Sequence, residues 1–111
     1  MKIRIYTGVT VAPKDCLFDD LHPKFQILNF RHLVEQGLDF ELATNSDFII
    51  RELNCFIMDD IINVEDVKFF EDSLKLEHKL EGFSVKSIDD VIEEQNKRIN
   101  GLYYTLKFVK E

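Results

Sequence analysis

The stretch IDDVIEEQNKRI, residues 88–99, is the most regular pattern in this chain and anchors the prediction of its fold. Ser87 and Asp90 form a capping-box pattern at its start, and Gly101 follows its predicted end. Four apolar residues recur at helical spacing and share one face: Ile88, Val91, Ile92 and Ile99. The pattern therefore predicts a helix over residues 88–99.

The sequence on either side of this helix predicts a strand and a second helix. After Gly101, apolar and polar residues alternate as in a terminal strand over 102–109. Residues 64–81 are predicted as a helix, because Asn63 can cap its start and Gly82 can close its end. Its apolar residues would form two opposite stripes: Val67, Phe70 and Leu74 on one side, and Phe69, Leu76 and Leu80 on the other.

The first half of the chain shows shorter alternations. Residues 2–11 alternate with the two-residue period of a half-buried strand. Residues 24–37 predict a short strand and then a short helix, with Asn29 as its N-cap and Gly37 just past its end. Residues 40–50 predict a hairpin that turns around Asn45 and Ser46, while a helix capped by Ser46 is the alternative.

These elements predict a single α+β domain over residues 1–111. Its small sheet, antiparallel or mixed, would pack against two main helices. The interrupted strand and helix signals argue against a regular βαβ alternation. No window approaches the roughly 18 apolar residues of a membrane span, and the N-terminus does not resemble a signal peptide. We therefore expect a cytoplasmic protein without membrane association.

The charge distribution is the strongest functional signal. Residues 35–94 carry 17 acidic and 5 basic side chains, whereas the two ends are mildly basic and the whole chain has a formal charge of −7. Such a field attracts basic partners and repels nucleic acid, so we expect no direct nucleic-acid binding. Contiguous carboxylates could also give the protein the character of a DNA mimic. The codon-biased composition, with many Ile, Lys and Asn, suggests a bacterial or phage source.

No catalytic signature is visible in the sequence, and no cofactor is predicted. Cys16 and Cys55 are too few for a disulfide framework and too far apart for a metal motif. The three histidines lack the spacing of zinc ligands. A nucleophilic pair of Cys16 with His22 is conceivable, but no third residue is indicated that would orient the histidine.

Adjacent carboxylates leave a metal-dependent enzyme as an alternative. A small hydrolase or nuclease could hold Mg²⁺ through Asp59, Asp60 and Asp66, with Lys68 close to the reacting group. Two observations weigh against this hypothesis. Acids in first helical turns serve as caps, and an acidic region repels the phosphate backbone of a nuclease substrate.

The preferred hypothesis is a non-enzymatic module that occupies a basic surface of a partner protein, as an inhibitor or immunity-type protein does. Acids on the predicted 64–81 helix would surround its second apolar stripe and so form a charged rim around an apolar anchor. The predicted partner-binding residues are Asp59, Asp60, Glu65, Asp66, Phe69, Glu71, Asp72 and Leu76. A homodimer closed by the same apolar stripe is a third hypothesis.

Overall fold

A computed structural model describes residues 1–79 and 82–110, with side chains described as far as residue 101. Three α-helices and four β-strands follow one another in the order β1, α1, β2, α2, β3, β4, α3. The bounds are β1 Ile3–Thr7, α1 Pro23–Glu35, β2 Phe40–Ala43, α2 Asp47–Met58, β3 Val67–Glu71, β4 Leu74–Leu76 and α3 Lys86–Lys110. None of the helices in residues 1–79 and 82–110 combines the length and the hydropathy that a membrane span requires.

The four strands form one mixed sheet in the order β2-β1-β3-β4. β1 pairs in parallel with both β2 and β3, and β4 returns antiparallel to β3. The α+β class with a mixed sheet is therefore confirmed. The expectation of no regular βαβ alternation was wrong, since strand and helix alternate from β1 to β3.

The core lies on one face of the sheet. Ile3 and Ile5 of β1 and Phe69 of β3 are at most 1% exposed, and α1 and α2 cover them with further apolar side chains. Phe30 of α1 sits at the centre, where its ring lies 6.2 Å from that of Phe40 and 6.0 Å from that of Phe56. On the opposite face, Tyr6 and Phe70 stack at 5.3 Å among charged neighbours.

The predicted helix over 64–81 was wrong. Its described residues, 64–79, contain a 3-10 turn, Val64–Asp66, followed by the β3–β4 hairpin, while Leu80 and Glu81 lie outside the described residues. Asp72 and Ser73 both have positive φ, 48° and 71°, as a two-residue hairpin turn of the primed type requires. Because β3 alternates, its Val67 and Phe69 reach the core, and the two helical stripes do not exist.

The predicted hairpin over 40–50 was also wrong beyond its first strand. Phe40–Ala43 is β2, but Asp47–Met58 is helix α2, and the Ser46 hydroxyl accepts a hydrogen bond from the amide of Ile49. The alternative of a helix capped by Ser46 is therefore confirmed. Tertiary burial of its apolar stripe outweighs the strand preference of the run Phe48-Ile49-Ile50.

Residues 24–37 contain one helix and no strand. α1 begins at Pro23, and His22 rather than Asn29 caps it by accepting a hydrogen bond from the amide of Lys24. Gly37 does follow the helix, with a φ of +69° that glycine adopts without steric cost. The first strand is shorter than predicted, because β1 ends at Thr7 rather than at residue 11.

The predicted terminal strand over 102–109 was wrong, because α3 continues through Gly101 to Lys110. The helix predicted over 88–99 is confirmed as part of α3. Nothing in the pattern after Gly101 is incompatible with a helix, since apolar residues also recur there at spacings of three and four.

Candidate partner-binding surface

Residues 58–66 form the acidic loop, which runs from the last residue of α2 to the start of β3. Its sequence, MDDIINVED, contains four carboxylates and no basic residue. It includes two adjacent acid pairs, Asp59-Asp60 and Glu65-Asp66, and the sequence pattern suggests a first helical turn for each of them. Asp59-Asp60 does not start a helix: Asp59 terminates α2, and Asp60 takes a left-handed φ of 56°.

The acidic loop is held by its backbone and by one buried side chain. The amides of Ile61 and Ile62 both donate to the carbonyl of Phe56, at 3.0 and 3.2 Å. Ile62 is only 2% exposed and belongs to the core. Asn63 accepts a hydrogen bond from the amide of Glu65 at 3.0 Å and so caps the 3-10 turn. The loop thus has a defined shape without using its carboxylates.

Two large apolar side chains of this loop lie on the surface. Met58 is 65% exposed and Ile61 is 56% exposed. Asp59, Asp60 and Glu65 are exposed beside them in the sequence. The sequence predicted an apolar centre surrounded by carboxylates on a helix; Met58 and Ile61 are instead the exposed apolar residues that share this segment with carboxylates.

The carboxylates of the acidic loop make no ion pair with any basic side chain in the described part of the chain. Elsewhere, bases interrupt the acidic surface expected from the sequence. Arg31 binds Glu52 at 2.7 Å, Arg51 binds Asp47 at 2.7 Å, and Arg4 lies 3.5 Å from Glu41. The loop is therefore a local acidic site rather than part of one continuous negative face.

At one end the acidic loop approaches basic residues. A cleft of about 170 Å³ is lined by Glu65 and Asp66 together with Lys2, Arg4 and Lys68. Asp66 is half-buried there. The negative charge of Asp59 and Asp60, at the other end of the loop, is consequently less compensated by basic side chains than that of Glu65 and Asp66.

Of the eight predicted partner-binding residues, the structure brings four together in the acidic loop: Asp59, Asp60, Glu65 and Asp66. Phe69 is fully buried and stacks on Phe83 at 5.1 Å, so it cannot act as an exposed anchor on this fold. Leu76 is half-buried and pairs with Phe69 in the strand register.

Glu71 and Asp72 lie at the other end of β3, away from the acidic loop. Asp72 accepts hydrogen bonds from the amide and the hydroxyl of Thr10, at 2.8 and 2.6 Å, and these bonds lower the pKa of its carboxyl group. Oε1 of Glu71 is buried without a hydrogen-bond donor among the described residues. Both side chains belong to the carboxyl edge of the sheet, where β1 and β3 end.

The same edge contains a second acidic segment, the edge loop, residues 8–22, between β1 and α1. Asp19 holds this loop in place by accepting hydrogen bonds from the Thr44 hydroxyl at 2.5 Å and the Asn45 amide at 2.6 Å. Oδ1 of Asn45 in turn accepts from the Thr7 hydroxyl at 2.7 Å and the Gly8 amide at 2.8 Å. This network explains Asp19 as a structural residue.

The edge loop also contains Cys16, one of two free cysteines in the described structure. Burial, and then the negative charge of Asp19, raise the pKa of its thiol to about 11. The thiol lies 3.7 Å from the carbonyl oxygen of Ala12, while Nδ1 of His22 accepts the hydrogen bond that caps α1. These contacts give both residues structural roles and do not activate a nucleophile.

Within residues 1–79 and 82–110, no three His, Cys, Asp or Glu side chains gather so as to hold a metal ion. Asp59, Asp60 and Asp66, which the metal hypothesis requires, all lie in the acidic loop but do not form such a group: Asp59 ends α2, Asp60 follows it, and Asp66 belongs to the 3-10 turn.

Composition alone could have located the acidic loop, because four acids without a base stand in nine residues. The exposed Met58 and Ile61 were missed, since no local pattern distinguishes Ile61 from the buried Ile62.

Comparisons with known proteins supply no relative: no protein-family model, no curated protein and no solved structure shows significant similarity to this chain.

Proposed function

We propose that this protein is a non-catalytic binding module that uses the acidic loop to dock onto a basic surface of a partner protein. The observation that carries the proposal is a well-held loop that has two exposed apolar side chains and whose carboxylates form no ion pair with a described basic side chain. An inhibitor or immunity-type protein is the class that best fits this combination.

The carboxylates supply the long-range part of the interaction. Opposite charge increases the rate of encounter and disfavours acidic or nucleic-acid partners, and salt screens it over a Debye length of roughly 8–10 Å. Exposed rim charges contribute little affinity one by one. Three of them acting together on one partner surface give a measurable dependence on salt.

Met58 and Ile61 supply the short-range part. Burying such a side chain completely gives about 1.5–3 kcal/mol, so each of these half-exposed residues can contribute about 1–2 kcal/mol. Met adapts its shape to an irregular pocket, which suits a contact residue. Because the backbone is already hydrogen-bonded, little conformational entropy is lost when the loop binds.

Nine residues cannot form a whole interface, since stable complexes bury on the order of 800 Å² on each partner. We therefore expect the neighbouring surface of α2, including the exposed Cys55, to contact the partner as well.

The proposal is tested by affinity capture from lysate at low and high salt, followed by titration of the captured protein. The loop variant combines Asp59→Asn, Asp60→Asn and Glu65→Gln, since Asn tolerates the left-handed backbone at position 60. We expect this variant to bind at least about tenfold more weakly and with a flatter salt dependence.

The matched control combines Asp20→Asn, Glu35→Gln and Glu77→Gln, three exposed acids on other parts of the surface. It changes the net charge by the same amount, so its binding should stay close to that of the wild type. Equal losses in both variants would mean that net charge alone matters, and would remove the acidic loop from the proposed function.

A further inference from the structure

Helix α3 extends away from the rest of the molecule. It has 25 residues, and every residue from Glu93 to Asn100 is exposed. The molecule measures 59 × 30 × 27 Å along its principal axes, which is long for a chain of this size because of this helix. A helix that keeps apolar residues in solvent is a candidate for pairing with another surface.

Seven positions of α3 form a heptad repeat, while Val91, Tyr103, Tyr104 and Phe108 lie outside it. The seven positions alternate by four and three residues over three heptads: Ile88, Ile92, Gln95, Ile99, Leu102, Leu106 and Val109. Six of the seven are apolar. A repeat of 3.5 residues keeps a narrow stripe in line only when the helix supercoils around another helix. The pattern thus indicates a helical partner rather than a flat surface.

The stripe begins in the core and continues into solvent. Ile88 packs against the core cluster and Ile92 is half-buried, whereas Ile99 is 61% exposed. Val91, at 53% exposure, lies beside the stripe. The first part of α3 is therefore attached to the domain, and the stripe has reached the solvent-exposed surface by Ile99.

Apart from Lys86 at its start, the acidic residues of α3 lie in its first half and its basic residues lie from Lys97 onward. Residues 89–94 include four acids and no base, and residues 97–110 include four bases and no acid: Asp89, Asp90, Glu93 and Glu94, then Lys97, Arg98, Lys107 and Lys110. A second copy in parallel orientation would place acids beside acids and bases beside bases. An antiparallel copy places the acidic half of each helix beside the basic half of the other.

From this charge complementarity we propose that α3 pairs with α3 of a second copy to form an antiparallel coiled-coil homodimer. The two sheets then lie at opposite ends of the helix pair and do not collide. Gln95 occupies a seam position, where a polar residue fixes the register at some cost in stability. This dimer does not depend on the acidic loop, which belongs to a different part of each copy.

Sedimentation equilibrium of the full chain, from about 1 to 500 µM, tests the pairing. We expect a mass of twice 13.1 kDa at the upper end. Ile99→Asp places a charge in the seam and should weaken dimerisation at least tenfold, because an unpaired charge is costly to bury. It should leave the domain folded, since Ile99 is exposed in the single chain.

The control Asn100→Asp adds the same charge one residue away, outside the seam, and should leave the dimer intact. A wild-type monomer at every concentration would overturn the proposal, and so would an Ile99→Asp variant that dimerises like the wild type.

Orientation is tested by single cysteines and mass spectrometry of the disulfide-linked peptides, with Cys16 and Cys55 both changed to serine. Position 98 lies near the middle of α3, so the cysteine of Arg98→Cys should form a disulfide with the same residue of the second copy. Asp89→Cys lies near one end and should not, because an antiparallel partner places position 89 far from its equivalent. A disulfide that joins two copies of the Asp89→Cys variant would show a parallel pair and overturn the antiparallel assignment.

Discussion

The edge loop and the acidic loop have similar compositions but use their residues in opposite ways. Each contains several acids, at least two exposed apolar side chains and a pair of identical neighbours, Asp19-Asp20 or Ile61-Ile62. In the edge loop a carboxylate holds the backbone in place. In the acidic loop an apolar side chain does so, and the carboxylates remain available. A carboxylate that accepts hydrogen bonds from nearby hydroxyl and amide groups therefore has a structural role and is not available to a partner.

The largest expected effect is on the free energy of unfolding, and it distinguishes the two isoleucines of the acidic loop. Ile62→Ala should lower the free energy of unfolding by about 3 kcal/mol, because it opens a cavity in the core. Ile61→Ala should change it by less than about 0.5 kcal/mol, since Ile61 is on the surface. Urea unfolding of both variants measures the difference. Equal losses would show that Ile61 is buried as well and would remove an anchor from the proposed surface.

The next largest expected effect on stability distinguishes Asp19 from its neighbour Asp20 in the edge loop. Asp19→Ala leaves the fully buried Thr44 hydroxyl and the Asn45 amide without an acceptor, which should cost about 2 kcal/mol. Asp20→Ala removes an exposed carboxylate and should cost less than about 0.5 kcal/mol. The same unfolding measurement applies. If Asp19→Ala were as stable as Asp20→Ala, the network at the carboxyl edge would not hold the loop.

The smallest effect concerns the contact of Asp72 with the edge loop. Hydrogen bonds from Thr10 hold the pKa of the Asp72 carboxyl below its usual 3.8. A lowered pKa in the folded state contributes stability above pH 3.8 that is lost as the pH falls through the lowered value. The stability gap between wild type and Asp72→Asn should therefore be largest near neutral pH and narrow below pH 3.8.

Thr10→Val provides the companion measurement for Asp72. It removes the hydroxyl donor but keeps the amide donor. The difference in stability between wild type and Thr10→Val should therefore be smaller than for Asp72→Asn, and it should also decrease at low pH. A gap that stays constant from neutral pH to about pH 3 would mean that these hydrogen bonds do not stabilise the ionised carboxylate.

Much of the chain could be assigned from sequence where the local pattern and the tertiary environment agree. The helix over 88–99, the cap at Ser46 and the left-handed Gly37 all follow from short-range rules of spacing and capping. The hairpin at 67–76 was missed because its five- and three-residue strands are also compatible with helical spacing. Asp72 and Ser73, which form the turn between the two strands, were the residues from which a hairpin could have been predicted.

The candidate site was predictable only in part, because its predicted residues depended on the secondary structure assigned to residues 64–81. The excess of acids at 59–66 is a property of composition and needed no coordinates. Phe69 was chosen as an anchor because the predicted helix placed it outward, and the strand instead places it in the core. Once that segment is a hairpin, Glu71 and Asp72 are separated from the acidic loop by the length of β3.

Sequence by itself determined the α+β class, the acidic middle and the amphipathic helix near the C-terminus, because periodicity and charge are carried by neighbouring residues. The tertiary structure alone decided which member of the pairs Asp19-Asp20 and Ile61-Ile62 is the less exposed: Asp19 is half-buried and Ile62 is buried, whereas Asp20 and Ile61 are exposed. Burial depends on which elements meet in space, and adjacent residues of the same type carry no information about that.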